Sequence, residues 1–176
     1  TPEGAARCLQ QIGIAFLFAP RLHPAMKEVM PVRRELGVRT VFNILGPLAN
    51  PAGARRQVLG VYADGLVEPI ARVLAELGAE HALVVHGRDG LDEITCTGAT
   101  RVAEVRAGAV TLWEITPEDF GVRRCAGSDL LGGTPQENAA LMRRTVEGEP
   151  GPLADVTALN AGAAIYVGGR ERDLAS

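Results

Sequence analysis

The stretch QVLGVYADGLVEPIARVLAELGAEHALVVHG, residues 57–87, decides the fold. Its apolar runs at 57–62 and 82–85 are short enough to be buried strands. Between them, residues 66–77 repeat apolar side chains at helical spacing, and Gly78 provides a helix stop. A strand, a helix and a second strand in this order predict two parallel strands with a helix packed on them.

The segments before this unit continue the alternation of helices and strands. A helix is predicted near the start of the chain, within residues 1–13, because Thr1 and Pro2 are typical of a helix start. The apolar run at 14–18 predicts a buried strand, and residues 24–37 predict a second helix with a break at Pro31. Residues 43–53 contain two prolines and two glycines, which predict a structured loop.

The segments after it add a hairpin and helices. Residues 101–105 and 110–115 alternate around a turn at Ala107-Gly108, which predicts antiparallel strands. Thr134 and Glu137 are spaced as a capping box at the start of a helix. Residues 153–167 predict a last helix, rich in small residues that allow close packing on a sheet. We therefore predict an α/β fold, with a mainly parallel sheet flanked by helices and ligands bound beyond the strands' carboxyl ends.

Composition excludes several functional classes. The net charge is −3, and no dense cluster of Lys and Arg predicts binding to nucleic acid or to an anionic membrane. The three cysteines form no CxxC pair, so free thiols in a reducing cytoplasm are expected. The chain opens without a basic, apolar leader, and its apolar stretch at 153–169 is too short and too polar for a membrane span.

An acidic motif, Gly90-Leu91-Asp92-Glu93, follows the predicted strand at 82–85 and a short turn. Neighbouring carboxylates at a strand exit suit Mg²⁺, which takes one or two carboxylates together with substrate phosphates. The alternative is a solvated acidic turn, since Asp and Glu are common on exposed turns.

Two further segments have both a structural and a functional interpretation. Arg33 and Arg34 lie in a predicted helix end, where they either complement the helix dipole or hold a carboxylate or phosphate. The loop that contains Gly46-Pro47 is either a ligand wall or a plain connector. His23 and His86 lack a nucleophile and an orienting acid at a recognisable spacing, so packing or hydrogen bonding is their expected role.

Several well-known motifs are absent. The sequence has no GxSxG elbow, no GxGxxG fingerprint after a strand and no GxxxxGK[ST] loop. Hydrolase, dinucleotide-binding and P-loop functions are therefore disfavoured.

Taken together, five segments resemble the anthranilate phosphoribosyltransferase family, in the family's order and spacing. They are FLFAP (16–20), HPAM (23–26), VRRELGVRT (32–40), FNILGPLANP (42–51), and HG with GLDE (86–93). The resemblance implies that the amine of anthranilate attacks C1′ of phosphoribosyl pyrophosphate (PRPP) and pyrophosphate leaves, in the second step of tryptophan biosynthesis from chorismate.

The resemblance also implies roles for individual residues. Asp92 and Glu93 match the acidic pair that binds Mg²⁺. Arg33 matches the arginine that meets the anthranilate carboxylate, and Gly46 and Pro47 match the loop that lines the anthranilate tunnel. The implied fold is that of nucleoside phosphorylases and phosphoribosyltransferases, a small helical domain joined to a larger α/β domain, usually as a homodimer.

The family's GTGGD-type and KHGN-type motifs do not occur in the chain. We therefore expect residues 1–176 to be a fragment, mostly the large α/β domain, that is inactive alone. Its segments at 1–13 and 24–37 would pack with the missing helical domain. Two alternatives stay open, a pyrimidine nucleoside phosphorylase and a non-catalytic relative that binds nucleic acid, and the acidic net charge disfavours the second.

Overall fold

A computed structural model describes residues 1–23, 29, 31–32, 35–38, 40–50 and 52–175. The chain divides into two compact units, Thr1–Ala54 and Arg55–Ser176.

The first unit contains helices α1 (Pro2–Ile12), α2 (Ala19–Leu22) and α3 (Phe42–Leu48), and further helical residues lie between α2 and α3. The Thr1 hydroxyl caps α1 by accepting the Gly4 N–H at 3.1 Å, and Gly13 ends the helix in the left-handed conformation. The helix predicted within residues 1–13 is thus confirmed. α1 has an apolar face, yet it buries none of its residues.

The strand predicted at 14–18 is wrong. These residues form neither helix nor strand, and Phe16 is 84% exposed. An apolar run becomes a buried strand only beside a hydrogen-bonded neighbour, and the described part of this unit contains no strand. Of the helix predicted at 24–37, residues 24–28, 30 and 33–34 lie outside the described residues, while 29, 31–32 and 35–36 are helical.

The loop predicted at 43–53 is helical in its first half, where α3 lies. Pro47 sits inside this helix and removes a single backbone hydrogen bond, which a short helix tolerates near its end. At the other end, the Asn43 N–H donates to the Thr40 carbonyl at 2.9 Å and the Asn43 side chain accepts the Thr40 N–H at 3.0 Å. After α3, the Gly53 N–H donates to the Asn50 carbonyl at 3.0 Å.

The second unit is built on a four-stranded sheet. Its strands are β1 (Arg56–Gly60), β2 (His81–Gly87), β3 (Thr100–Arg106) and β4 (Ala109–Ile115), in the order β1-β2-β3-β4. Three helices accompany them: α4 (Val67–Glu76), α5 (Pro135–Val146) and α6 (Pro152–Val167). Single 3₁₀ turns lie at Asp64–Leu66, Pro117–Phe120 and Gly127–Leu130.

The α/β class and the helices flanking the sheet are confirmed. Parallel pairing, however, is confined to β1 and β2, which α4 connects. β2 with β3 and β3 with β4 pair antiparallel, so a mainly parallel sheet is the wrong description of these four strands. The connection after β2 contains no crossover helix, the usual link between parallel neighbours, and the chain returns antiparallel to β2.

β2 is the centre of the core, and all of its residues are buried. Leu83 and Val85 point to the face on which α6 packs through Leu159 and Ala163. The alternate residues of β2 point to the opposite face, which α4 covers. Among the described residues, none of the helices combines the length and the hydrophobicity needed to cross a bilayer.

Candidate functional site

The parallel strands β1 and β2 have their carboxyl ends at one edge of the sheet, and the acidic motif follows there. We call residues 88–99, which connect β2 to β3, the acidic loop. A Cβ added at Gly60, the last residue of β1, would collide with the backbone carbonyl of Asp92. Because Gly60 has no side chain, the acidic loop lies directly against the carboxyl end of β1, the expected position for a ligand-binding loop.

Asp89 organises the interior of the acidic loop. Its carboxylate accepts hydrogen bonds from the Thr95 hydroxyl at 2.7 Å, from the Thr97 hydroxyl and from the Leu91 N–H at 3.0 Å. Burial alone would raise the pKa of Asp89, but these hydrogen bonds outweigh it and lower that pKa. The Asp89 carboxylate therefore has a structural role, because it already accepts three hydrogen bonds within the acidic loop.

Asn160 of α6 holds the acidic loop from the helix side. Its side-chain oxygen accepts the Ile94 N–H at 3.0 Å, and its Nδ2 donates to the Ile94 carbonyl at 2.8 Å. The Ile94 side chain is buried in the core. The acidic loop is thus fixed by the core, by α6 and by its own hydrogen bonds.

Asp92 and Glu93 differ from Asp89 in having no hydrogen-bond partners in the described part of the chain. Both are exposed, and neither carboxylate makes a hydrogen bond or ion pair with any described residue. Partial burial, and then the neighbouring charge of Asp92, raise the pKa of Glu93 above its ordinary value of 4.5. Two adjacent carboxylates without partners, one of them disfavoured as an anion, fit a divalent cation.

This pair would not bind a cation tightly by itself. Among the residues the structure describes, no group of three or more His, Cys, Asp or Glu side chains could hold a metal ion. Two carboxylates leave most positions of an octahedral Mg²⁺ to water or to a ligand's oxygens. The geometry therefore suits a cation that arrives with, or bridges to, a phosphorylated ligand.

Cationic side chains near the acidic loop are already paired. Arg88 donates to Asp64 at 2.7 Å and to Glu114 at 2.8 Å, and Arg101 donates to the other oxygen of Asp64 at 2.6 Å. These bonds tie the start of the acidic loop to the 3₁₀ turn after β1 and to the hairpin.

His86 has the structural role predicted for it. It is buried, and its Nδ1 donates to the Val61 carbonyl at 2.7 Å, since a carbonyl can only accept. His23 follows α2 as its C-cap, and we assign it no chemical step.

The predicted anthranilate-binding residues belong to the first unit. Arg33 lies outside the described residues. Gly46 and Pro47 lie on α3, where they form part of a helical turn and not of the loop expected there. A surface cavity of about 720 Å³ in the second unit is lined by Arg123, Cys125 and Asp155, among others, and does not include Asp92 or Glu93.

Three residues of the site were missed at the level of sequence. Gly60, Asp89 and Asn160 shape the acidic loop through contacts that sequence proximity does not reveal. The only local signals were the spacing of Asp89 from two threonines and a polar Asn160 in an apolar helix.

The family model described as glycosyl transferase family, a/b domain, matches residues 1–176. An anthranilate phosphoribosyltransferase of Rubrobacter xylanophilus is 58% identical over 171 residues, which are 97% of this chain and 50% of the relative. The crystal structure of the anthranilate phosphoribosyltransferase from Thermus thermophilus superposes with a TM-score of 0.90 at 50% identity, covering 97% of this chain and 50% of that one. The Saccharomyces cerevisiae enzyme in complex with PRPP and Mg gives a TM-score of 0.81 at 29% identity, covering 92% and 47%. The chain thus spans about half the length of these relatives.

Proposed function

Since the chain belongs to the glycosyl transferase family and matches the model of that family's a/b domain, we propose that it is the α/β part of an anthranilate phosphoribosyltransferase. The whole enzyme would transfer the phosphoribosyl group of PRPP to the amine of anthranilate, giving N-(5′-phosphoribosyl)anthranilate and pyrophosphate. The observation that carries this proposal is the pair of unpartnered carboxylates, Asp92 and Glu93, at the carboxyl end of a parallel strand pair. The relative solved with PRPP and Mg supports the same assignment.

In the proposed reaction, the amine nitrogen of anthranilate forms a bond to C1′ and gives up one of its two protons, while the bond from C1′ to the pyrophosphate oxygen breaks. Negative charge develops on the departing pyrophosphate. Asp92 and Glu93 would hold Mg²⁺, which supplies a positive charge to the diphosphate and orients it. The rigid acidic loop keeps the two carboxylates in place before the substrate arrives, so little ordering is needed on binding.

The first unit would recognise the acceptor. Arg33 is the residue proposed to bind the anthranilate carboxylate through its planar guanidinium, and Gly46 and Pro47 are proposed to line the path of the aromatic ring. The enzyme is proposed to act as a homodimer in the cytoplasm, and its three free thiols are in keeping with a reducing compartment.

A fusion protein tests the function. The part of the Rubrobacter xylanophilus enzyme that residues 1–176 do not match would be joined to the chain in the order of that enzyme, and loss of anthranilate would be followed with PRPP and Mg²⁺ present. We expect turnover from the fusion and none from residues 1–176 alone. Asp92→Asn and Glu93→Gln should lower kcat/KM. The matched control Glu118→Gln removes an exposed acid that pairs with Arg124 outside the acidic loop, and it should not change kcat/KM.

Arg33→Ala in the same fusion separates acceptor binding from metal binding. It should lower kcat/KM for anthranilate by the factor that corresponds to a loss of roughly 2–5 kcal/mol in transition-state stabilisation. This is the cost of leaving a desolvated carboxylate unpaired. The apparent Mg²⁺ requirement should stay as in the parent fusion. Unchanged kcat and KM for anthranilate would refute the role of Arg33, and phosphorolysis of a pyrimidine nucleoside without anthranilate consumption would refute the transferase assignment.

A further inference from the structure

Asn160 is a polar residue in the middle of an apolar helix. Its neighbours Leu159 and Ala163 are buried in the core, and asparagine is less favourable than alanine inside a helix. Its side-chain amide nevertheless makes three hydrogen bonds, one accepted from the Ile94 N–H and two donated, to the carbonyls of Ile94 and Val156. Both hydrogens of the amide are used, so the orientation of the side chain is fixed.

The Ile94 N–H belongs to the peptide group that joins Glu93 to Ile94. By accepting it, Asn160 fixes the peptide plane on the carboxyl side of the Glu93 Cα. The peptide plane on the amino side contains the Asp92 carbonyl, which lies against Gly60. Both planes that flank Glu93 are therefore held, one by β1 and the other by α6, while the Glu93 carboxylate itself has no described partner.

From this geometry we propose that Asn160 is a positioning residue for the cation-binding pair: it orients the Glu93 backbone so that the carboxylates of Asp92 and Glu93 present themselves together. This inference rests on the proposed function of that pair. Asn160 would touch neither the cation nor the substrate, and would act through Ile94. Outer-shell partners of this kind typically contribute about 10-fold or more to metal affinity.

The test uses the full 176-residue chain, labelled with ¹⁵N, in the presence of pyrophosphate. Mn²⁺ is titrated in as a paramagnetic substitute for Mg²⁺, and broadening of the backbone amides near the acidic loop gives the Mn²⁺ concentration at half effect. In Asn160→Asp, the carboxylate still accepts the Ile94 N–H but faces the Ile94 and Val156 carbonyls without a proton to donate. In Asn160→Ser, the shorter hydroxyl bonds within its own helix and releases Ile94.

Two controls separate positioning from stability. Thr157→Val removes a side-chain bond to the Leu153 carbonyl one turn back, on the same helix, without touching the acidic loop. Val167→Ala makes a cavity at the far end of α6 and lowers stability there. Glu93→Gln removes a proposed ligand directly.

In the wild-type chain we expect broadening centred on residues 92–94, and its loss in Glu93→Gln. Both Asn160 variants should need about 10-fold more Mn²⁺ or more for the same effect, at a temperature where circular dichroism shows them folded. Thr157→Val and Val167→Ala should titrate as wild type. If Asn160→Asp and Asn160→Ser also titrate as wild type while Glu93→Gln does not, the positioning role is wrong and the cation site stands. If Glu93→Gln matches wild type, or if the wild-type chain shows no broadening, the cation site itself is wrong and the role of Asn160 falls with it.

Discussion

Gly60→Ala is the substitution that most directly tests the placement of the acidic loop. Gly60 has no positive φ, so its backbone conformation is open to alanine and the only obstacle is the neighbour. That neighbour is backbone, the carbonyl of Asp92, which the added methyl group would meet head-on. A backbone atom cannot rotate out of the way as a flexible side chain can.

The size of the effect follows from the geometry. To reach an ordinary contact distance, the Asp92 carbonyl would have to retreat by about 2 Å. The acidic loop cannot follow freely, because Asn160 and the core hold Ile94 two residues later. Overpacking of this kind costs about 1–3 kcal/mol. Since alanine also restricts the unfolded chain, which offsets about 0.4–1 kcal/mol, we expect a net loss of about 1.3 kcal/mol and at most about 2.6 kcal/mol.

Urea denaturation, with Mn²⁺ titration beside it, measures both consequences. The matched control is Gly98→Ala, in the same loop, where a Cβ would meet nothing within 4 Å and φ is again not positive. Gly98→Ala should leave the free energy of unfolding and the Mn²⁺ response close to wild type. Gly60→Ala should lower the free energy of unfolding and weaken Mn²⁺ binding, because the displaced carbonyl carries the Asp92 backbone with it. Equal behaviour of the two variants would refute the contact between β1 and the acidic loop.

Three further predictions concern stability. Folding raises the pKa of Glu93, so the protein loses stability as the pH rises and this carboxyl group becomes charged. Glu93→Gln should therefore be more stable than wild type at pH 7, by less than about 1 kcal/mol for so exposed a group, and should show no gain at pH 3. A loss of stability at pH 7 in urea denaturation would contradict this. Tyr166→Phe removes a hydroxyl that donates to the Glu104 carboxylate at 2.7 Å, and it should lower the free energy of unfolding by about 1.5–3 kcal/mol, measured in urea, whereas an unchanged value would mean that water replaces the bond. Leu83→Ala empties a fully buried position in the middle of β2 and should cost about 2–5 kcal/mol in thermal denaturation, while a smaller loss would indicate that the core collapses around the cavity.

Local patterns in the sequence predicted most elements of the second unit. The capping box of α5 is an example, because the Thr134 and Glu137 side chains bond each other's backbone within a single turn. The hairpin is another, since Ala107 and Gly108 both adopt positive φ between alternating strands. In both cases the decisive interactions lie within a few residues of sequence, where spacing reports them directly.

The predictions failed where a long-range partner decides the outcome. An apolar run such as residues 14–18 has the composition of a buried strand, but pairing with a neighbour determines whether it becomes one. The Gly46-Pro47 dipeptide suggested a loop because proline is unfavourable in a helix, yet the loss of one hydrogen bond did not outweigh the rest of α3. The parallel character of the sheet was overestimated because the sequence does not reveal that the acidic loop takes the place of a crossover helix.

The same limit applies to the site. Asp92 and Glu93 could be identified from a four-residue motif, whereas the residues that hold them could not. Asn160 is 66 residues away from Ile94, and the contact between Gly60 and Asp92 spans a helix and a strand. Such contacts become visible only when the register of β1 beside β2 is known.

Folding shifts the pKa values of Asp89 and Glu93 in opposite directions, which bears on the proposed cation site. Folding stabilises the charge on Asp89 through three hydrogen bonds, and its pKa falls. Folding disfavours the charge on Glu93, and its pKa rises, because burial and Asp92 act in the same direction. A divalent cation bound at this pair would favour the charged form of Glu93 and lower its pKa again. A solvated acidic turn, the alternative for this motif, would have the same two pKa directions, so the Mn²⁺ titration separates the two interpretations and the pKa values do not.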